Sequence, residues 1–180
     1  MICGPSKSGK TTWVINLIEH RDVLFKDKIQ KIYWFYGTWQ RDYEKLKNDV
    51  IFKNGIDEEN TSIEANSMVV IDDLVAETEN NRSVTALFTK LVHHQNLFLV
   101  YVSQNFYHQS REARMHHLIS HFIVFFKNPR DKTQVNILAR QMFPGRSPRE
   151  FSIMFDQVTE KAHGYLLIDL RQEIPAEVHL

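Results

Sequence analysis

The stretch that decides the fold lies at the start of the chain and spans residues 4–11, Gly4-Pro5-Ser6-Lys7-Ser8-Gly9-Lys10-Thr11. It meets the pattern Gly-x-x-x-x-Gly-Lys-Ser/Thr in full. The two glycines allow a tight turn in which successive backbone N–H groups point at an anion. The apolar residues that follow predict a helix over 10–20, whose N-terminus adds partial positive charge. The stretch therefore predicts a loop that binds phosphate groups and includes Thr12 at its end.

Two side chains of this loop have defined roles in the pattern. Lys10 places an ammonium group against the β- and γ-phosphates of a nucleotide, and Thr11 offers a hydroxyl to Mg²⁺. The alternative is a Gly/Ser/Lys loop that binds nothing, and it is less favoured because a helix-compatible stretch follows directly. The loop thus predicts a site for a nucleoside triphosphate with magnesium.

Short apolar runs, rich in β-branched and aromatic residues, alternate with longer stretches that suit helices. The predicted strands are 31–36, 68–71, 97–102, 122–126 and 165–168. The predicted helices are 10–20, 40–47, 82–94, 110–120, 133–142 and 148–158. Nearly continuous apolar strands are typical of parallel strands buried on both faces. The pattern predicts one α/β domain over residues 1–180, with three layers and a mostly parallel central sheet flanked by helices.

One feature does not fit a complete domain. A phosphate loop normally follows a buried strand, whereas only Met1, Ile2 and Cys3 precede this one. Either the central strand is very short or the natural chain begins upstream, and we favour a truncated N-terminal strand. Cys3 is expected to be a small buried hydrophobe, and a single cysteine excludes an intrachain disulfide.

Polar residues follow two further predicted strands. Asp72 is expected to hold Mg²⁺, directly or through water, and Asp73 to orient or deprotonate the attacking water. Gln104 is the candidate for sensing the γ-phosphate, with Asn105 second, because ligands sit beyond the carboxyl ends of parallel strands. A helix cap or turn is the alternative for the two acids, and turn chemistry is the alternative for residues 103–105.

Taken in order along the chain, these motifs resemble those of the FtsK–HerA branch of P-loop ATPases. Within that branch the chain is most similar to the genome-packaging ATPases of large DNA viruses and of Maverick/Polinton-type elements. The segments that carry the resemblance are 4–12, 36–40 with Tyr43, 70–74, 103–105, 126–131, 138–145 and 164–170.

The resemblance implies a three-layer P-loop NTPase that forms a homo-oligomeric ring. Such a ring would hydrolyse ATP with Mg²⁺ to drive double-stranded DNA into a preformed capsid. It also implies capsid portal or vertex proteins as partners, and the virion or the infected host cell as the location. In this branch an arginine of one subunit completes the neighbour's site, a role that could fall on Arg114 or Arg130, with a slight preference for Arg114. A surface or interface salt bridge is the alternative for either arginine.

Asp73 is a departure from the branch, which often has glutamate after the metal-binding acid. The aspartate is one methylene shorter, but the packaging subgroup tolerates it, so Asp73 keeps the catalytic role. Trp39 and Tyr43, four residues apart, are predicted to be exposed and to contact DNA or a neighbouring subunit.

The charge is balanced overall but not locally. The chain has 22 basic and 22 acidic residues, yet residues 108–149 contain eight basic residues against two acidic ones. This stretch could meet DNA phosphates, or it could be a solvated helix surface. No signal-peptide pattern and no apolar run of ~20 residues is present, so an intracellular location without a membrane partner is expected.

Two other classes of function are compatible with the phosphate loop. One is a nucleotide or small-molecule kinase, against which the paired acids and Gln104 argue. The other is an ATP-binding assembly module with little turnover.

Overall fold

The structure is a computed structural model that describes residues 1–56, 62–74, 96–106, 120–145, 147–171 and 173. Its strands are β1 (Ile2–Cys3), β2 (Ile32–Tyr36), β3 (Ile51–Asn54), β4 (Met68–Asp72), β5 (Phe98–Ser103), β6 (Phe122–Phe126) and β7 (Tyr165–Asp169). Its helices are α1 (Lys10–Glu19), α2 (Arg21–Leu24), a 3₁₀ helix (Arg41–Leu46), α3 (Thr133–Met142) and α4 (Pro148–Val158).

The strands form one sheet in the order β3-β2-β4-β5-β1-β6-β7. Neighbouring strands are parallel throughout, apart from the antiparallel pair β6 and β7. On one face α1 contributes Val14 and Ile18 to the core, and on the other α3 and α4 contribute Leu138 and Phe155. The predicted α/β architecture, with a mostly parallel sheet between two helical layers, is confirmed.

The strand before the phosphate loop has only two residues, yet it lies near the middle of the sheet. Ile2 is paired with Val102 of β5 on one side and with Val124 of β6 on the other. A very short central strand is therefore present, and an upstream start of the natural chain stays a prediction. Cys3 is 1% exposed, and burial raises the pKa of its thiol to about 12, which confirms it as a buried hydrophobe.

The segment after β2 differs from the prediction. The helix expected over 40–47 is the 3₁₀ helix Arg41–Leu46. Side chains three residues apart share a face in a 3₁₀ helix, so Tyr43 and Leu46 are buried together, with exposed fractions of 0% and 3%. The prediction that Tyr43 is exposed is therefore wrong, whereas Trp39 is 41% exposed.

The remaining helix predictions have mixed outcomes. Those over 133–142 and 148–158 are confirmed to the residue, and the second helix begins with Ser147 as its N-cap and proline at its first position. Strand β3 and helix α2 were not predicted. The predicted helix 82–94, and 110–120 up to residue 119, lie outside the described residues. None of the helices that the structure describes combines the length and apolarity needed to cross a bilayer.

Candidate nucleotide-binding site

A cavity of about 400 Å³ opens at the edge of the sheet where the parallel strands end. Four parts of the chain line it: the phosphate loop with the start of α1, the segment after β2, the ends of β4 and β5, and the turn before β7. The lining residues are 6–12, Gln40, Asp42, Asp72, Asp73, Val102, Ser103, Gln104 and His163. The volume falls within the range of pockets that bind small molecules.

The phosphate loop is folded around its own lysine. The Nζ atom of Lys10 donates hydrogen bonds to the carbonyl oxygens of Gly4 (2.7 Å) and Pro5 (2.9 Å). Burial lowers the pKa of the Lys10 ammonium, and the nearby Asp72 carboxylate partly offsets that effect. The loop therefore keeps its shape through a cation that lies at its centre.

Packing explains the first glycine of the loop. A Cβ atom at Gly4 would lie 2.5 Å from the Cβ atom of Phe126 in β6, so no larger residue fits there. The hydroxyl Oγ of Ser8 is buried and has no hydrogen-bond partner within the part of the chain that the structure describes. α1 begins at Lys10, and the first amides of a helix lack partners within it. The loop is thus suited to accept an anionic ligand.

Asp72 and Thr11 are the predicted ligands of magnesium. Asp72 ends β4 and is 3% exposed, and its Oδ2 atom accepts a hydrogen bond of 2.9 Å from the hydroxyl of Tyr43. Burial raises the pKa of Asp72, while Tyr43 and Lys10 act in the opposite direction. The Thr11 hydroxyl donates to Oε1 of Gln40 over 3.2 Å.

The donor set fits magnesium. No cluster of three or more His, Cys, Asp and Glu side chains that could hold a metal occurs among the described residues. Mg²⁺ usually binds through one or two carboxylates together with substrate phosphates and waters, and the carboxylate and hydroxyl at this cavity are hard oxygen ligands of that kind.

Asp73 stands in an unusual backbone conformation. Its φ of 59° is in the left-handed region, which costs an ordinary residue about 1–3 kcal/mol but is tolerated by aspartate. The Nε2 atom of Gln104 donates to Oδ1 of Asp73 over 3.3 Å, and the Ser6 hydroxyl donates to Oε1 of Gln104 over 3.5 Å. Gln104 therefore connects the phosphate loop with Asp73.

Residues 103–105 follow or end β5, and their contacts bear on whether they form a turn or a sensor of the γ-phosphate. The hydroxyl of Ser103 donates to the carbonyl oxygen of Asn105 over 2.7 Å and accepts from its N–H, as in a turn. Ser103 and Gln104 both line the cavity, whereas Asn105 is not among its lining residues. The turn predicted as the alternative is thus present at Ser103 and Asn105, and the role of Gln104 as sensor stays a prediction.

His163 is a cavity residue that the sequence did not indicate. Its Nδ1 atom lies 3.0 Å from the carbonyl oxygen of Ser8, and because a carbonyl only accepts, Nδ1 carries the hydrogen. It lies in the turn before β7 and has a φ of 61°. No local motif precedes it, so only the fold brings it to the loop. Gln40 and Asp42 were likewise not predicted to line the cavity.

Neither arginine candidate and no part of the basic stretch is among the described residues that line the cavity. Arg114 lies outside the described residues. Arg130 is exposed in the turn after β6 and is not among the residues that line the cavity. Lys127 and Lys132 both contact Asp156, at 3.8 Å and 2.6 Å, so part of the local positive charge is neutralised within the chain.

The fold is that of a P-loop NTPase. A short central strand is followed by the phosphate loop and then by α1, at the edge of a mostly parallel sheet where the parallel strands end. Among solved structures, the chain is similar to B204, the DNA-packaging ATPase from Sulfolobus Turreted Icosahedral Virus. The similarity covers 96% of this chain and 92% of B204, with a TM-score of 0.56 and 13% sequence identity. No protein-family model and no curated protein sequence matches the chain. The likeness to B204 therefore concerns the fold.

Proposed function

We propose that this chain is an ATP-hydrolysing DNA translocase that packages a viral genome as a homo-oligomeric ring. The observation that carries the proposal is the convergence of Lys10, Asp72, Asp73 and Gln104 on one cavity beside the phosphate loop. The likeness of the fold to a DNA-packaging ATPase over nearly the whole chain supports it. The resemblance of the sequence motifs to those of packaging ATPases is the second support.

In this proposal the loop 4–12 holds the phosphates of ATP. The Lys10 ammonium, which contacts the loop carbonyls of Gly4 and Pro5, turns to the β- and γ-phosphates when they arrive. Thr11 and Asp72 hold Mg²⁺. When bound, that ion neutralises charge on the phosphates and polarises the transferring group.

Hydrolysis requires an oriented water molecule. Asp73 lies at the cavity and accepts a hydrogen bond from Gln104, and it positions the water and takes its proton. The water oxygen forms a bond to the γ-phosphorus while the bond to the β–γ bridging oxygen breaks, which yields ADP and phosphate. Gln104, which contacts both Ser6 and Asp73, senses whether the γ-phosphate is present.

Assembly supplies the remaining parts of the motor. An arginine of the neighbouring subunit, Arg114 or Arg130, neutralises charge on the transferring phosphoryl group. Double-stranded DNA is the substrate that is moved, and capsid portal or vertex proteins are the docking partners. The place of action is the virion or the infected cell.

The test measures ATP hydrolysis against protein concentration, with and without double-stranded DNA. Wild type is compared with Lys10→Ala and Asp73→Asn. Lys47→Ala and Asp49→Asn serve as matched controls, since both residues are exposed and neither lines the cavity. A rate per subunit that rises with concentration and with DNA, and falls at least ~100-fold in the two site variants alone, supports the proposal.

Other outcomes favour the alternatives. Turnover of a metabolite by the monomer, indifferent to DNA, favours a kinase. Saturable ATP binding without hydrolysis under any condition favours an assembly module.

A further inference from the structure

One short segment contacts both predicted ligands of magnesium. It follows β2 and contains Gln40, whose Oε1 accepts a 3.2 Å hydrogen bond from the Thr11 hydroxyl. Three residues later the hydroxyl of Tyr43 donates to Oδ2 of Asp72 over 2.9 Å. The two ligands are 61 positions apart in sequence, yet the same turn of chain holds both.

Tyr43 is fixed in place. Its side chain is fully buried, and its ring packs against the rings of Trp34, Tyr36 and Phe52 with centroid distances of 4.9, 5.8 and 5.3 Å. The phenolic oxygen lies in the plane of this held ring, so its position follows from the packing. A hydrogen bond to a carboxylate is stronger and shorter than one between neutral groups, and this one is shielded from solvent.

The hydrogen bonds with Gln40 and Tyr43 leave acceptor positions on Thr11 and Asp72 for an ion. A threonine hydroxyl has one hydrogen and two lone pairs, so donating to Gln40 turns the lone pairs of Thr11 away from it. The Tyr43 hydrogen occupies one oxygen of Asp72 and leaves Oδ1 for another partner. In metal sites, outer groups commonly orient the ligands in this way.

We propose that Gln40 and Tyr43 are positioning residues of the magnesium half of this site. Gln40 fixes the rotamer of the Thr11 hydroxyl, and Tyr43 fixes the carboxylate plane of Asp72. The inference rests on the proposed function, because it assumes that Thr11 and Asp72 bind the Mg²⁺ of a nucleotide complex.

The test separates metal binding from nucleotide binding. Affinity for a fluorescent ATP analogue is measured on the full chain in EDTA and across a Mg²⁺ titration. Tyr43→Phe keeps the ring and removes the hydroxyl, and Tyr36→Phe is the matched control from the same aromatic cluster. For Tyr43→Phe we expect metal-free affinity within ~2-fold of wild type, and a ~10–100-fold rise in the Mg²⁺ concentration needed for half-maximal enhancement.

A second pair of variants covers the case in which Tyr43→Phe does not fold. Gln40→Leu removes the acceptor for Thr11 and should raise the Mg²⁺ concentration needed for half-maximal enhancement. Gln40→Glu keeps an acceptor oxygen, so its half-maximal Mg²⁺ concentration should equal that of wild type or lie below it. A purely structural role predicts equal loss of affinity with and without Mg²⁺.

The results distinguish the two proposals. If wild type shows no Mg²⁺-dependent nucleotide binding, the proposed function has failed, and this inference with it. If wild type depends on Mg²⁺ while Tyr43→Phe and Gln40→Leu titrate like Tyr36→Phe, the inference alone is overturned.

Discussion

Replacing Gly37 by alanine should separate catalysis from nucleotide binding. Gly37 follows β2, and a Cβ atom there would lie 2.6 Å from the carbonyl oxygen of Asp73. Real Cβ contacts are rarely shorter than 3.0 Å and are ordinary from 3.4 Å, so the two backbones must separate by about 0.4–0.8 Å. That shift moves Asp73, whose carboxylate accepts from Gln104.

The magnitude follows from the displacement. A misplacement of about 1 Å can cost about 100-fold in rate, so we expect kcat for ATP hydrolysis to fall roughly 10- to 100-fold. Nucleotide affinity measured without Mg²⁺ should change by less than about 3-fold, since the atoms nearest the added Cβ belong to Asp73 and Leu74 and not to the phosphate loop. Overpacking should also lower the free energy of unfolding by about 1–3 kcal/mol.

The assay combines steady-state hydrolysis, nucleotide binding and thermal unfolding. Gly145→Ala is the control: Gly145 has a φ of +90°, no atom of the described residues beyond its chain neighbours lies within 4 Å of its added Cβ, and it does not line the cavity. It should lose stability through backbone strain and keep kcat. A Gly37→Ala protein with wild-type kcat, or with affinity lost in proportion to kcat, would show that Asp73 is not held in position by this contact.

Three further predictions follow from the site and the surface. Burial raises the pKa of Asp72, so the folded chain binds an extra proton between pH 3.8 and that raised pKa and loses stability as the pH rises through this window. The Asp72→Asn variant should therefore have a higher melting temperature than wild type at pH 7 without ligand, yet lose the stabilisation that Mg²⁺-nucleotide gives. A lower melting temperature of the variant both with and without ligand would contradict this. His163→Ala removes the hydrogen bond to Ser8, worth about 0.5–1.5 kcal/mol, and should weaken nucleotide binding about 2- to 10-fold relative to the exposed control His121→Ala. If basic residues grip DNA phosphates, DNA stimulation of hydrolysis should disappear, with ATP binding intact, in the triple variant Arg140→Ala, Arg146→Ala and Arg149→Ala.

Much of the fold could be predicted because its signals are local. β6 is an apolar run between His121 and Lys127, and α4 begins at Pro148 directly after its N-cap Ser147; the ranges of both, like that of α3, match the predictions. The phosphate loop has a complete spacing pattern. The position of Gln104 at the cavity could be predicted because parallel strands such as β4 and β5 place their carboxyl ends at the same edge of the sheet.

The errors have physical causes. β3 is an edge strand with mixed polarity, and Ile51 is 41% exposed, so no buried run marks it. An α-helical period predicts Tyr43 on an exposed surface. The segment is a 3₁₀ helix with three residues per turn, and in that geometry the side chain of Tyr43 faces the core. Its hydrogen bond with Asp72 depends on tertiary packing and has no signature in either segment alone.

The reversed direction of β7 has a consequence for fragments of this chain. Because β7 runs opposite to its neighbour, it starts at the edge where the parallel strands finish, and Tyr165 lies opposite Phe126. The turn before it therefore delivers His163 to a loop 155 positions earlier. A fragment ending at residue 158 would retain every sequence motif of the site yet lack one of its walls. The phosphate loop, the two acids and Gln104 are therefore not sufficient for the complete cavity, which also requires the turn before β7.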